Sequence, residues 1–124
     1  MSVTSIASAT GQRATGLRTI ATATASTAHL TQAELKAIND AFDVEQTGLV
    51  QRCRDEILHN GLYASPTHFG FIFRIPSPEI LAEKLAMCSP EMRTLVTMAS
   101  TQGANRIEFD ADEDVTIGIA VYEH

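Results

Sequence analysis

The stretch 67-THFGFIFRIP-76 decides the fold. Phe69, Phe71 and Phe73 alternate with Gly70, Ile72 and Arg74. Successive side chains of a strand point to opposite faces, so this alternation predicts a central strand with three rings on one side. Each ring stabilises the fold by about 1.5–3 kcal/mol when fully buried, which makes that side the core. Pro76 has no amide to donate to a sheet and ends the strand.

Helices flank it. The tripeptides 77-SPE-79 and 89-SPE-91 each combine a Ser N-cap, a Pro at the first helical position and an acid in the first turn. The first helix carries Ile80, Leu81 and Leu85; the second carries Met92, Leu95, Val96, Met98 and Ala99 and closes at Gly103. Upstream, Leu35, Ile38 and Phe42 follow helical spacing. Leu49, Val50, Cys53, Ile57 and Leu58 continue it, with Gly48 dividing the stretch and Asn60-Gly61 ending it. Downstream, 106-RIEF-109 and 115-VTIGIAVY-122 predict two strands of a hairpin joined by an acidic loop.

Before these elements, 17-LRTIATATA-25 alternates with a period of two and predicts a strand with small side chains, over which a bulky element packs closely. Val3 to Ile6 suggests one more strand, ahead of a turn at Gly11. The order is β-α-(α)-β-α-α-β-β. That is an α+β arrangement, a single mixed β-sheet packed against helices.

A chain of 124 residues has the size of one domain, 1–124, with residues 1–15 as a flexible or edge-strand extension. The charge is unevenly spread. Residues 1–33 carry only Arg13 and Arg18, whereas residues 108–124 hold six acids and no Lys or Arg, matching the net −6 of the whole chain. Such a balance, with no basic run, argues against nucleic acid as a partner. No apolar run spans a bilayer, which argues against a membrane protein. The Ser/Thr/Ala-rich start with two arginines has the composition of an organellar leader, but it lies within the chain, so a cytoplasmic location is expected. Cys53 and Cys88 fall in segments read as helical, without ligand spacing, and are expected to be buried thiols.

Candidate chemistry is sparse. Asp110, Asp112 and Asp114 match the first three ligand positions of a calcium loop, but Val115 and Val121 stand where Gly and Glu are required. Asp110, Asp112, Glu113 and Asp114 therefore read as a solvated acidic face able to steer a protein partner with a basic surface. His29, His59, His68 and His124 make no metal-ligand pair, so no metal or other cofactor is expected. In 26-STAHLTQAE-34, Ser26 or Thr27 beside His29 offers a nucleophile and a base. Thr31 and Glu34 there form a capping box, with Leu30 and Leu35 as a hydrophobic staple, and this local role is sufficient for them.

The segments S-T-A-H-L-T, F-G-F-I-F-R-I-P and D…G-I-A-V-Y resemble a domain-of-unknown-function family of small bacterial proteins encoded on plasmids and on integrative or phage-like elements. The resemblance covers roughly residues 24–122. The chain departs from it in its Tyr-Glu-His end and its long Ser/Thr/Ala start. It implies an accessory protein of a mobile element, and such elements carry inhibitors of host defence. The expected function is a non-enzymatic, protein-binding accessory factor acting through the acidic face. The alternatives are a small hydrolase or transferase using His29 with Ser26 or Thr27, and a structural homo-oligomer built on the Phe strand or the Met92–Met98 helix.

Overall fold

The computed structural model describes residues 20–46, 49–52 and 56–124, and the backbone alone for 44–46 and 49–52. The strand expected at Val3–Ile6, the start of the 17–25 strand and Cys53 lie outside the described residues.

The aromatic stretch forms β6 (Gly70–Arg74), the middle strand of a five-stranded sheet with order β1-β7-β6-β5-β4. β7 (Arg106–Asp110) lies antiparallel on one side, with Phe71 opposite Phe109 and Phe73 opposite Ile107. β5 (Leu62–Pro66) lies antiparallel on the other and is followed outward by β4 (Ile57–His59). β1 (Thr22–Ser26) pairs with β7 in parallel, which makes the sheet mixed.

One face of this sheet is the core. Phe73 meets Phe71 and Phe109 nearly edge to face, at 5.8 Å and 5.9 Å between ring centres, while Phe71 and Phe109 lie tilted at 6.2 Å. Phe42 of α1 (Gln32–Phe42) approaches Phe71 at 6.4 Å. Leu81 of α2 (Pro78–Lys84) and Met92, Leu95, Val96 and Ala99 of α3 (Pro90–Thr101) complete the same cluster. The architecture is α+β, one mixed sheet against three helices.

Both Ser-Pro-Glu signals start helices. The Ser89 hydroxyl accepts from the Met92 amide at 3.2 Å, whereas Ser77 caps α2 without a side-chain bond. On β1, Ala25 is buried and Ala23 half-buried, so the small-residue face does point inward.

Three expectations are corrected. Residues 49–52 and 57–58 are not helical: β3 (Leu49–Arg52) pairs antiparallel with β2 (Asp43–Gln46) as a separate two-stranded ribbon, and Ile57 and Leu58 belong to β4. Apolar runs this short satisfy helix and strand spacing alike, and strand pairing decides between them. Asn60 and Gly61, with φ of 50° and 87°, form the two-residue turn of the β4–β5 hairpin rather than a helix end.

The segment 115–122 is not a strand. It runs as an irregular strap, with Ile117 98% exposed, so no hairpin follows β7. Phe69 precedes β6 and is 52% exposed, and the third core ring is Phe109 instead.

Candidate functional site

β1 and β7 run in parallel and end side by side, Ser26 opposite Asp110. Beyond them the chain diverges, one branch into a 3-10 turn (Thr27–His29) and the other into the acidic turn. Divergence at the carboxyl ends of parallel strands opens a crevice. Here it is a cleft of about 430 Å³ lined by Thr27, Leu35 and Asn39 on one side, residues 67–71 on the other, and Ala111.

Backbone bonds fix its far wall. The Thr67 amide donates to the Gly70 carbonyl at 2.9 Å, and the Ala111 amide donates to the Phe69 carbonyl at 3.0 Å. Gly70 is required at this closure because a Cβ there would lie 1.8 Å from the Phe109 carbonyl oxygen. His68 and Phe69 stand at the rim with rings 4.4 Å apart and almost perpendicular. The Thr67 hydroxyl oxygen is buried without a hydrogen-bond partner, a polar atom that an incoming group can satisfy. Among the described residues no Lys, Arg, Asp or Glu lines the cleft, so it suits an uncharged side chain.

The acids adjoin this cleft through Ala111. The Asp110 carboxylate accepts from the Asp112 amide at 2.7 Å, and the Glu113 amide donates to the Asp110 carbonyl at 3.2 Å. Asp110 therefore shapes the turn, while Asp112, Glu113 and Asp114 stand in solvent. Among the described residues no three His, Cys, Asp or Glu side chains converge as metal ligands.

The three residues singled out around His29 do separate work. The Ser26 hydroxyl, buried, caps the 3-10 turn by accepting from the Ala28 amide at 3.1 Å. Thr27 lines the cleft. His29 is fully buried. Its Nδ1–H donates to the Ala120 carbonyl at 2.9 Å and its Nε2 accepts from the Thr116 amide at 2.8 Å. A carbonyl can only accept and an amide can only donate, which fixes the tautomer. A hydrolase built on His29 needs a ring nitrogen facing a substrate, and both nitrogens are held by the chain's own backbone.

His29 thus pins the strap. The Tyr122 amide donates to the Ala28 carbonyl at 2.8 Å, Gln32 Nε2 donates to the Glu123 carbonyl at 2.9 Å, and the Tyr122 hydroxyl donates to Glu91 at 2.7 Å. That last bond raises the Tyr122 phenol above its ordinary value of 10.0, with burial and the nearby charge of Glu91 adding to it.

Two other groups are shifted by their surroundings. Burial lowers His59 from 6.5, partly offset by the charge of Glu34, and its Nε2 is buried without a partner. Burial raises the free Cys88 thiol from 9.0 to about 11, the charge of Glu34 adding to this and Arg93 opposing it.

The cleft residues Asn39, Thr67, His68 and Phe69 carry no motif that points to a site. The one available signal was a His-Phe pair between Pro66 and Gly70, and its alternation with Phe71 reads as core instead. Among the described residues no helix is long and apolar enough to cross a membrane. Neither the curated proteins nor the solved structures give a match. Residues 22–124, from the first residue of β1 onward, match the model for the C-terminal domain of a family of unknown function, DUF5983. The chain belongs to that family.

Proposed function

We propose that this protein is a non-enzymatic, protein-binding accessory factor of a bacterial mobile genetic element, in the class of inhibitors of host defence, and that it binds through its acidic face. The carrying observation is the juxtaposition of an exposed acidic turn with an uncharged cleft of about 430 Å³, joined at Ala111. Productive protein interfaces combine an apolar or aromatic anchor in a pocket with a charged rim that steers the encounter. Phe69, Phe71 and the free Thr67 hydroxyl supply the anchor site; Asp112, Glu113 and Asp114 supply the rim. The partner is a protein presenting an apolar or aromatic side chain within a basic surface. The mobile-element setting rests on the sequence resemblance.

Capture of partners from a bacterial host lysate tests this, using the wild type beside an Asp112→Ser/Glu113→Ser/Asp114→Ser variant and Phe69→Ser. Asp110 is left in place because it holds the turn. The triple variant should lose the salt-sensitive part of binding and Phe69→Ser the salt-insensitive part. The same partners retained by both variants, at unchanged strength and salt dependence, would refute the reading.

A further inference from the structure

At the end of the sheet remote from the acidic turn lies a second concavity. β6 runs from Gly70, opposite Asp110, to Arg74, opposite Arg106, so the two ends are separated by the length of the strand. There the β4–β5 hairpin and the entry to α2 enclose a predominantly apolar groove of about 350 Å³. Leu58, Tyr63 and Ile80 are solvent-exposed along it, and the cations Arg74 and Lys84 edge it. Arg74 lies over the Tyr63 ring at 5.8 Å and pairs with Glu56 at 2.5 Å, which orders its guanidinium at the groove. Exposed apolar surface framed by two cations has a defined complement: a short segment that carries both carboxylates and branched aliphatic side chains.

The chain carries one such segment itself. Asp112, Glu113 and Asp114 are followed within three residues by Val115, 52% exposed, and Ile117, 98% exposed, the most exposed large apolar side chain described. Among the described residues the segment has no strand partner. It also sits at the opposite end of the sheet from the groove, so one molecule cannot fill its own groove with it.

We infer that the apolar groove between the β4–β5 hairpin and α2 is a docking site for residues 112–117 of a second copy of the chain. Ile117 and Val115 enter beside Leu58, Tyr63 and Ile80, while Asp112 to Asp114 meet Arg74 and Lys84. Donor and acceptor lie at opposite ends of the sheet, so the contact is head to tail and each added copy leaves one groove and one strap free. The net charge of −6 on each copy opposes assembly, and the association is therefore weak and concentration-dependent. This contact draws on the acidic turn named above but not on the cleft at Phe69, and it involves no host protein.

Sedimentation of the purified protein across a concentration series tests the inference, with two variants at exposed positions that leave the core untouched. Lys84→Glu disables the groove and keeps the strap; Ile117→Asp disables the strap and keeps the groove. The wild type should give a mass average that rises steadily with concentration. Each variant alone should sediment as a monomer, and an equimolar mixture should form a dimer and stop there, because only one groove and one strap remain compatible. A wild type that stays monomeric throughout, single variants that associate like it, or a mixture that stays monomeric would each overturn the inference. Capture of a lysate protein at Phe69 is unaffected by any of these results, so the two proposals fail separately.

Discussion

Glu34 of α1 holds Ser89 at the start of α3: its carboxylate accepts the Ser89 amide at 3.0 Å and the Ser89 hydroxyl at 2.7 Å. The Glu34 amide meanwhile donates to Thr31 at 3.0 Å, so half of the expected capping box forms. The other half is spent across the core, where one carboxylate orients the cap of a different helix. Glu34→Ala should cost about 1–3 kcal/mol, because a half-buried amide and hydroxyl lose a charged acceptor. A double-mutant cycle with Ser89→Ala in urea denaturation should show coupling of about 0.5–3 kcal/mol, and strictly additive costs would disprove the link.

His29 ties two distant stretches of backbone, Thr116 and Ala120, to the turn after β1. His29→Ala removes both bonds and leaves a cavity, and should destabilise the protein by about 3 kcal/mol. Limited proteolysis should then cut first within 115–122. Uniform cleavage across the chain, with stability unchanged, would show that the strap is held without it.

Gly70→Ala should be among the most damaging single-methyl additions. The new Cβ meets a backbone carbonyl at 1.8 Å, and β6 and β7 must separate at the end where Gly70 faces Asp110 to admit it. A loss of about 3 kcal/mol or more is expected, read from the denaturation midpoint. A near-neutral result would mean that the two strands sit farther apart there.

His59 and Cys88 set opposite pH limits. His59 has its folded value below 6.5, so the unfolded chain takes up its proton first. Stability from this group is complete above 6.5 and falls as pH drops from there toward the folded value. Cys88 is raised to about 11 from 9.0, so stability is complete below 9.0 and is lost as pH rises toward about 11. Denaturation midpoints across pH should flatten on the acid side in His59→Gln and on the alkaline side in Cys88→Ala. The native thiol should also resist a thiol-specific reagent until the protein unfolds.

The parts of this fold legible in the sequence are those fixed by local physics. The alternation around Phe71 and Phe73, the caps at Ser77 and Ser89, and the Thr31 start of α1 each depend on residues within one turn or one strand. The β4–β5 hairpin was hidden because Asn60-Gly61 serves a helix end and a two-residue turn equally well, and only the pairing of Leu58 with Tyr63 distinguishes them. His29 was ambiguous for a different reason. Its partners are a backbone carbonyl and a backbone amide 91 and 87 residues away, and such groups leave no mark in a sequence. The cleft needs Thr27, Thr67 to Phe71 and Ala111 brought together by strand register, which composition does not encode.

The parallel pairing of β1 with β7 also governs how the chain reaches this structure. Thr22 sits beside Arg106, so forming the pair closes a loop of 83 intervening residues, whereas the β4–β5 hairpin closes across two. Closing a long loop costs entropy before any contact rewards it, and sheets built this way fold slowly. The β4-β5-β6 meander can form early from nearby segments, with β7 following once α2 and α3 are in place. β1 is then the last strand to join, and the strap can be pinned only after it, when the turn carrying His29 has been set. The edge of β7 stays open until that step, which makes it the surface most exposed to mispairing in a half-folded chain.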